Sequence, residues 1–319
     1  SVTARSERTR WLRAIVAYDG TDFCGFQVQR SRGGQRTGFS APRTVQGALE
    51  DALAQILQKP TSLLAAGRTD SGVPAVGQVV AFGADWDRPL ADLHRGLNAV
   101  LPDDVAVRAL APASPGFHPR FDALSRTYCY TIWNHPLRSP LSRHTALWVR
   151  QPLNLEAMDE AAHLIVGSKD FCTFGRAPRA TRKRDDCQRA PGLQPTTVRL
   201  VIRAAWSKAN EQCLTACQLT LLGVASTGGG SSNPRALKHT QRGAEWQGLV
   251  EFTIEANAFL YRMVRSIVGT LIQVGRRSWT VSEFASALRG ADRALAGPTA
   301  APQGLCLIEV QYGADAGHR

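Results

Sequence analysis

Between Phe259 and Val274 the residues Leu260, Met263, Val264, Ile267, Val268, Leu271 and Ile272 are apolar and keep an i, i+3, i+4, i+7 spacing over four turns. That spacing predicts a helix with one continuous apolar face, which is stable in water only when a sheet or another helix covers it. Arg265 falls at the border of this face, about 140° round from Leu260 at 100° per residue, and can face a cleft at the edge of the core. Arg262, near 200°, points away and reads as a surface or phosphate residue. A second helix is predicted after Thr44, a good capping residue, because Val45, Leu49, Ala52, Leu53, Ile56 and Leu57 share one face.

Strand patterns supply the covering sheet. In the first part of the chain they run over Leu12 to Tyr18, Thr61 to Ala66, Gln78 to Phe82 and Val105 to Leu110, with a short helix at Leu93 to Val100. Pro and Gly crowd into Ala111 to Gly116, the expected boundary between two halves. Beyond it, Arg126 to Trp133, Thr197 to Ala205, Gly248 to Ala256 and Leu305 to Tyr312 read as strands, and Leu155 to Val166 as a helix. The stretches Arg176 to Arg189, rich in basic residues, and Gly223 to Glu245, rich in Gly and Ser, have no hydrophobic period and read as solvated insertions.

The chain has 319 residues, enough for two moderate cores, and 38 Lys and Arg against 26 Asp and Glu, a net charge of +12. Such a balance favours a polyanionic partner. No run of about 18 apolar residues exists to span a bilayer, and no apolar secretory stretch opens the sequence, so a soluble intracellular protein is expected. Arg5, Arg8, Arg10 and Arg13 leave mitochondrial targeting as the alternative to the cytoplasm. Seven scattered cysteines fit reduced thiols. Cys213 and Cys217 lack a second ligand pair at finger-like spacing, so no structural metal is expected.

The segment Gly67-Arg68-Thr69-Asp70-Ser71-Gly72 sets one carboxylate between glycines, two residues after an arginine. Taken alone, it fits either an Asp turn closed on its own backbone or a site where glycines let a bulky ligand approach. Asp70-Ser71-Gly72 also matches an aspartic-protease triplet, but that chemistry needs two carboxylates sharing a proton, and no second triplet occurs. A Walker loop, a dinucleotide fingerprint, a His-Glu-x-x-His pair and a nucleophile elbow are likewise missing.

Beyond this segment, the chain carries Tyr18-Asp19-Gly20-Thr21, Gly25-Phe26-Gln27-Val28-Gln29, Thr44-Val45-Gln46-Gly47 and Gly77-Gln78-Val79. Later come Phe117-His118-Pro119-Arg120-Phe121, Arg126-Thr127-Tyr128-Cys129-Tyr130, Asp170-Phe171 with Phe174, Ala256-Asn257-Ala258-Phe259-Leu260, Met263-Val264-Arg265, and Gly297-Pro298-Thr299-Ala300 with Gly304-Leu305. In this order the motifs resemble the TruA-type tRNA pseudouridine synthases of the bacterial kind, nearly end to end.

The resemblance implies an α+β fold of two α/β domains, residues 1–115 with the Asp70 loop and 116–319 with insertions near 176–196 and 223–245. Mainly antiparallel sheets would join around a central catalytic cleft. It makes Asp70 the catalytic aspartate, Tyr128 the active-site tyrosine, Arg265 the partner of the aspartate and Leu305 an apolar wall of the base pocket; Arg68, placed to reach a phosphate or hold the vacated position, and Thr69 are expected to bind substrate as well. A guanidinium beside a carboxylate favours its anionic form, which the chemistry needs. Tyr128 can stack on a uracil. The implied reaction turns uridine into pseudouridine in the anticodon arm of tRNA, at positions 38 to 40, without a cofactor. The implied assembly is a homodimer, with a monomer as the alternative. The competing class is a catalytically silent RNA-binding or chaperone protein on the same scaffold. Ser71, Pro74 and Phe26 depart from the family's usual residues; none removes a catalytic group, but Pro74 deletes a backbone donor.

Overall fold

A computed structural model of the chain describes residues 9–28, 42–176, 196–208 and 246–313. Ten strands form one sheet: β1 (Arg10–Tyr18), β2 (Leu63–Ala65), β3 (Ala75–Ala84), β4 (Val105–Pro112), β5 (Ala123–Asn134), β6 (Leu147–Val149), β7 (Gly167–Asp170), β8 (Val198–Lys208), β9 (Gly248–Ala256) and β10 (Leu305–Tyr312). The principal path runs β4-β1-β3-β10-β5-β9-β8-β7, with β2 on β3 and β6 on β5. Pairing is antiparallel except at β3 with β10 and β5 with β6.

The sheet is continuous because β10 returns from the end of the chain to lie between β3 and β5. Gly77 makes that return feasible. A Cβ there would lie 2.1 Å from the Ile308 carbonyl oxygen, so any side chain would push β10 off β3. The Pro74 carbonyl, in turn, accepts from the Leu307 N–H at 3.2 Å. The strands of the two halves thus belong to one sheet, while the apolar contacts divide into two main clusters.

One cluster packs α1 (Val45–Leu57) and α2 (Leu90–Val100) on β1, β3 and β4. Thr44 Oγ1 accepts from the Gly47 N–H and starts α1, whose buried face is Val45, Leu49, Ala52 and Leu53, with Ile56 and Leu57 of the predicted face only half-buried against the same cluster. The other cluster packs α3 (Leu155–His163), α4 (Met263–Gly275) and α5 (Val281–Arg289) on β5, β8 and β9. Tyr128 of β5 touches both clusters and so sits where they meet.

Several boundaries move. The helix expected from Phe259 begins at Met263, because Arg262 adopts a left-handed conformation (φ 59°) and the Met263 N–H turns back to the Leu260 carbonyl. Arg265 therefore lies in the first turn of α4. Its angle is not to be counted from Leu260, which precedes the helix. Strand β3 extends beyond Gln78 to Phe82 in both directions, α2 starts three residues earlier than Leu93, and β4 runs into the Ala111 to Gly116 stretch as far as Pro112. Helix α5, which no apolar period predicts, opens with a capping box between Thr280 and Glu283. Apart from Arg176, the two expected insertions lie outside the described residues, as do Cys213 and Cys217. No helix among the described residues is long and apolar enough to cross a membrane.

Candidate active site

Asp70 follows β2 in the turn that leads into β3, and its carboxylate meets Arg265 from the first turn of α4. Arg265 Nη1 donates to Asp70 Oδ2 at 2.9 Å, across 195 residues of sequence. The two side chains are 12% and 20% exposed for Arg265 and Asp70, which shields the pair from solvent screening without sealing it. The bond uses one carboxylate oxygen; among the described residues Oδ1 receives no hydrogen bond, leaving an acceptor for a ligand.

Backbone contacts shape the Asp70 turn. The Val73 N–H returns to the Asp70 carbonyl at 3.1 Å, and Gly72 takes the left-handed conformation (φ 78°) that closes it. Behind the turn runs the 20–26 loop: Ser71 Oγ donates to the Phe23 carbonyl at 3.1 Å, and the Phe26 N–H donates to the Thr69 carbonyl at 3.2 Å. Gly25, at φ 96°, approaches so closely that a Cβ would lie 3.0 Å from the Thr69 oxygen. Gly67, by contrast, would meet nothing within 4 Å, so its lack of a side chain is not what shapes the turn.

Arg265 is held independently. Its Nε donates to the Ala300 carbonyl at 2.8 Å, and the Ala300 N–H donates to the Arg265 carbonyl at 3.0 Å. The segment carrying Ala300 packs against Gly269 one turn along α4, where a Cβ would lie 1.7 Å from the Pro298 oxygen. The glycine therefore lets Ala300 fix the guanidinium while leaving it a free edge for Asp70.

Tyr128 lies edge-on to Phe259, with ring centres 5.1 Å apart. Burial pushes its hydroxyl pKa upward; Arg126 opposes the shift and the Asp70 charge adds to it. The phenol stays protonated at neutral pH, a hydrogen-bond donor or stacking surface and not a base. Leu305, buried at the start of β10, pairs with Tyr130, and Tyr128 pairs with Leu307. Leu305 and Tyr128 are thus diagonal neighbours on one face, about 7–8 Å apart.

The remaining expected residues divide. Arg68 is exposed beside Asp70, and its pKa is lowered first by partial burial and then by Arg120. Thr69 is buried, and its Oγ1 shares a 2.8 Å hydrogen bond with the Tyr18 hydroxyl. Its side chain braces the turn against β1.

Arg126 was missed as a site residue. Its guanidinium donates to the carbonyls of Asn257 at 2.7 Å, Arg120 at 2.6 Å, Ala66 at 3.2 Å and Ala123 at 3.4 Å, joining the strand end before the Asp70 turn to two other loops. The one charged residue of β5, at its partly buried start, is the available signal. A separate pocket between Trp133 and Trp148 contains none of these residues.

Two partly buried groups from distant segments, an open carboxylate oxygen and an apolar wall beside an aromatic ring suit a reaction on a planar base. Comparison with known proteins agrees. The sequence model of the tRNA pseudouridine synthase family matches residues 14–122 and 161–313. The chain is 37% identical to tRNA pseudouridine synthase A of Geobacter sp. (strain M21), over 95% of this chain and 99% of that protein. It is 36% identical to the enzyme of the same name from Geobacter sulfurreducens, over 95% and 100%. With the one from Burkholderia thailandensis it shares 35% identity over 94% and 89%. The chain belongs to the tRNA pseudouridine synthase family.

Proposed function

We propose that this protein isomerises uridine to pseudouridine in the anticodon arm of tRNA, at positions 38 to 40, with Asp70 as the catalytic carboxylate. The observation that carries the reading is the 2.9 Å pair between Asp70 and Arg265, held from both sides next to Tyr128. An intact pair of this kind favours catalysis over a silent RNA-binding scaffold.

The reaction breaks the N1–C1′ bond, turns the base and forms a C5–C1′ bond; the C5 hydrogen leaves as a proton and N1 gains one. The sum is an isomerisation, so no redox cofactor or phosphate donor enters its balance. Asp70 acts either by adding to the nucleotide or by removing a ribose proton. Both routes begin from the carboxylate anion, whose Oδ2 accepts a hydrogen bond from Arg265. Tyr128 and Leu305 form the ring and wall against which the base lies. Since the phenol keeps its proton, Tyr128 orients the base and does not abstract from it.

The target uridine must leave its stack to reach Asp70, at a cost of roughly a few kcal/mol that backbone contacts offset. Arg68, exposed beside the turn, is placed to contact a phosphate or occupy the vacated position. Thr69 contributes to substrate binding through the backbone it positions. We further infer a homodimer acting in the cytoplasm, with the mitochondrion as the alternative compartment.

The test is tritium release from tRNA labelled at uridine C5. Asp70→Ala should abolish release while keeping tRNA affinity within about tenfold. Unchanged turnover in this variant would remove Asp70 from the chemistry.

A further inference from the structure

Five arginines near the catalytic pair, Arg68, Arg120, Arg176, Arg262 and Arg293, form no ion pair among the described residues. Arg68 and Arg120 lie on the side of the Asp70 turn. The other three gather at the start of α4, the helix of Arg265.

Arg262 holds the left-handed position just before α4, with its guanidinium 5.0 Å from the centre of the Tyr261 ring. Tyr261 is 57% exposed and is bridged through its backbone to Arg176, itself exposed. Arg293 is fixed beneath them: it donates to the Thr173 carbonyl at 3.0 Å, to Ser266 Oγ at 2.9 Å and to Thr299 Oγ1 at 3.1 Å. Burial lowers its pKa first, and the charges of Arg176 and Arg262 lower it further, so the three cations repel one another. The neighbouring carboxylates form no ion pair with them among the described residues. Asp292 accepts from the Ala294 N–H and Asp170 from the Cys172 N–H, each at 2.9 Å. Like charges held this close are stabilised by an anion from outside, and an exposed ring among them offers a surface for a base.

We propose that Arg176 and Arg262, with Tyr261 between them and Arg293 behind, bind an RNA backbone phosphate next to the uridine that meets Asp70. This site serves the helix side of the catalytic pair, while Arg68 and Arg120 serve the turn side. Ser266, which anchors Arg293, directly follows Arg265 in sequence, so the cluster lies within one helical turn of the arginine that pairs with Asp70. The inference rests on the proposed tRNA substrate.

The salt dependence of binding an unmodified tRNA transcript tests it, between 50 and 300 mM KCl, in an Asp70→Asn background that prevents turnover. The double variant Arg176→Gln/Arg262→Gln should lower the slope of log affinity against log salt by about 0.7–0.9 for each phosphate that is no longer neutralised. A control carries the same charge change at the other end of α4. Arg276 and Arg277 are exposed there, about 20 Å away at 1.5 Å per residue, and Arg276→Gln/Arg277→Gln should leave the slope unchanged. With Asp70 intact, the Arg176/Arg262 variant should raise KM about tenfold and keep kcat within twofold. An unchanged slope in a variant of unaltered Tm, or a fall no larger than in the control, would overturn the phosphate site. If the slope falls as expected but wild-type protein forms no pseudouridine in tRNA, the proposed function fails and the phosphate site stands.

Discussion

Asp70 and Arg265 meet in one ion pair, yet the two regions that deliver them are built differently. The aspartate sits on a turn held by backbone hydrogen bonds to the 20–26 loop and by the close approach of Gly25. The arginine sits on a buried helix and is clamped by Ala300 across Gly269. A turn of this kind has few apolar contacts of its own, so its geometry depends on a handful of neighbours; a packed helix distributes the same task over a core cluster. The comparison locates where small changes should matter most: at the glycines that allow close approach, on either side.

The helix side should give the larger effect. Gly269→Ala places a methyl carbon 1.7 Å from the Pro298 oxygen, and relieving that overlap must move the segment that carries Ala300. The expected result is a loss of about 1–3 kcal/mol in stability and at least a hundredfold in kcat/KM, read by denaturation and tritium release. Equal activity in the variant would show that the Ala300 clamp does not position Arg265.

On the turn side, two glycines that look alike in sequence should behave differently. Gly25→Ala combines a left-handed backbone with a 3.0 Å approach to Thr69 and should cost about 1–3 kcal/mol, with activity falling about tenfold. Gly67→Ala meets open space and should keep activity within twofold and stability within about 1 kcal/mol. Reversal of this order would mean that the turn is shaped from within instead of from the 20–26 loop.

The smallest expected effect concerns pH. His118 Nδ1 accepts from the N–H groups of Arg120 at 3.1 Å and Phe121 at 3.4 Å, so this arrangement requires that nitrogen to be unprotonated. Burial holds its pKa below the ordinary histidine value of 6.5; Asp122 opposes that shift. A depressed value in the folded state means that its stability contribution is present above 6.5 and is lost as pH falls through the lower value. Thermal unfolding between pH 7.5 and pH 5 should therefore show a Tm decline that is shallower in His118→Gln, which gains no proton.

Much of this architecture is legible in the sequence, and its omissions have physical causes. Residues with a strong local signal behave as read: Thr44 caps α1, and Gly248 to Ala256 and Leu305 to Tyr312 are strands. The apolar spacing places the start of α4 too early because Leu260 is buried like a helical residue while its backbone belongs to the preceding turn. Helix α5 buries only Phe284, Ala287 and Leu288 in nine residues, a short apolar signal that its capping box outweighs. The union of the two halves through β3 and β10 depends on a close backbone approach at Gly77 that no periodicity registers.

At the site, Asp70 stands out by its glycine-flanked turn, which by itself fits a structural turn as well as a catalytic one; the resemblance is what proposes the catalytic role. The buried role of the Thr69 hydroxyl follows from its contact with Tyr18, 51 residues away, and the four carbonyls around Arg126 come from separate loops. Such contacts are properties of the folded chain and have no local sequence signature.

Mapping of pseudouridine in tRNA from cells with the gene disrupted, then complemented with wild type or Asp70→Asn, tests the central claim most directly. Uridines 38 to 40 should remain unmodified in the disrupted cells, be converted when the wild-type protein is supplied, and stay unmodified with an Asp70→Asn protein that is folded and binds tRNA. Restoration of pseudouridine by Asp70→Asn would contradict the assignment of Asp70 as the catalytic group.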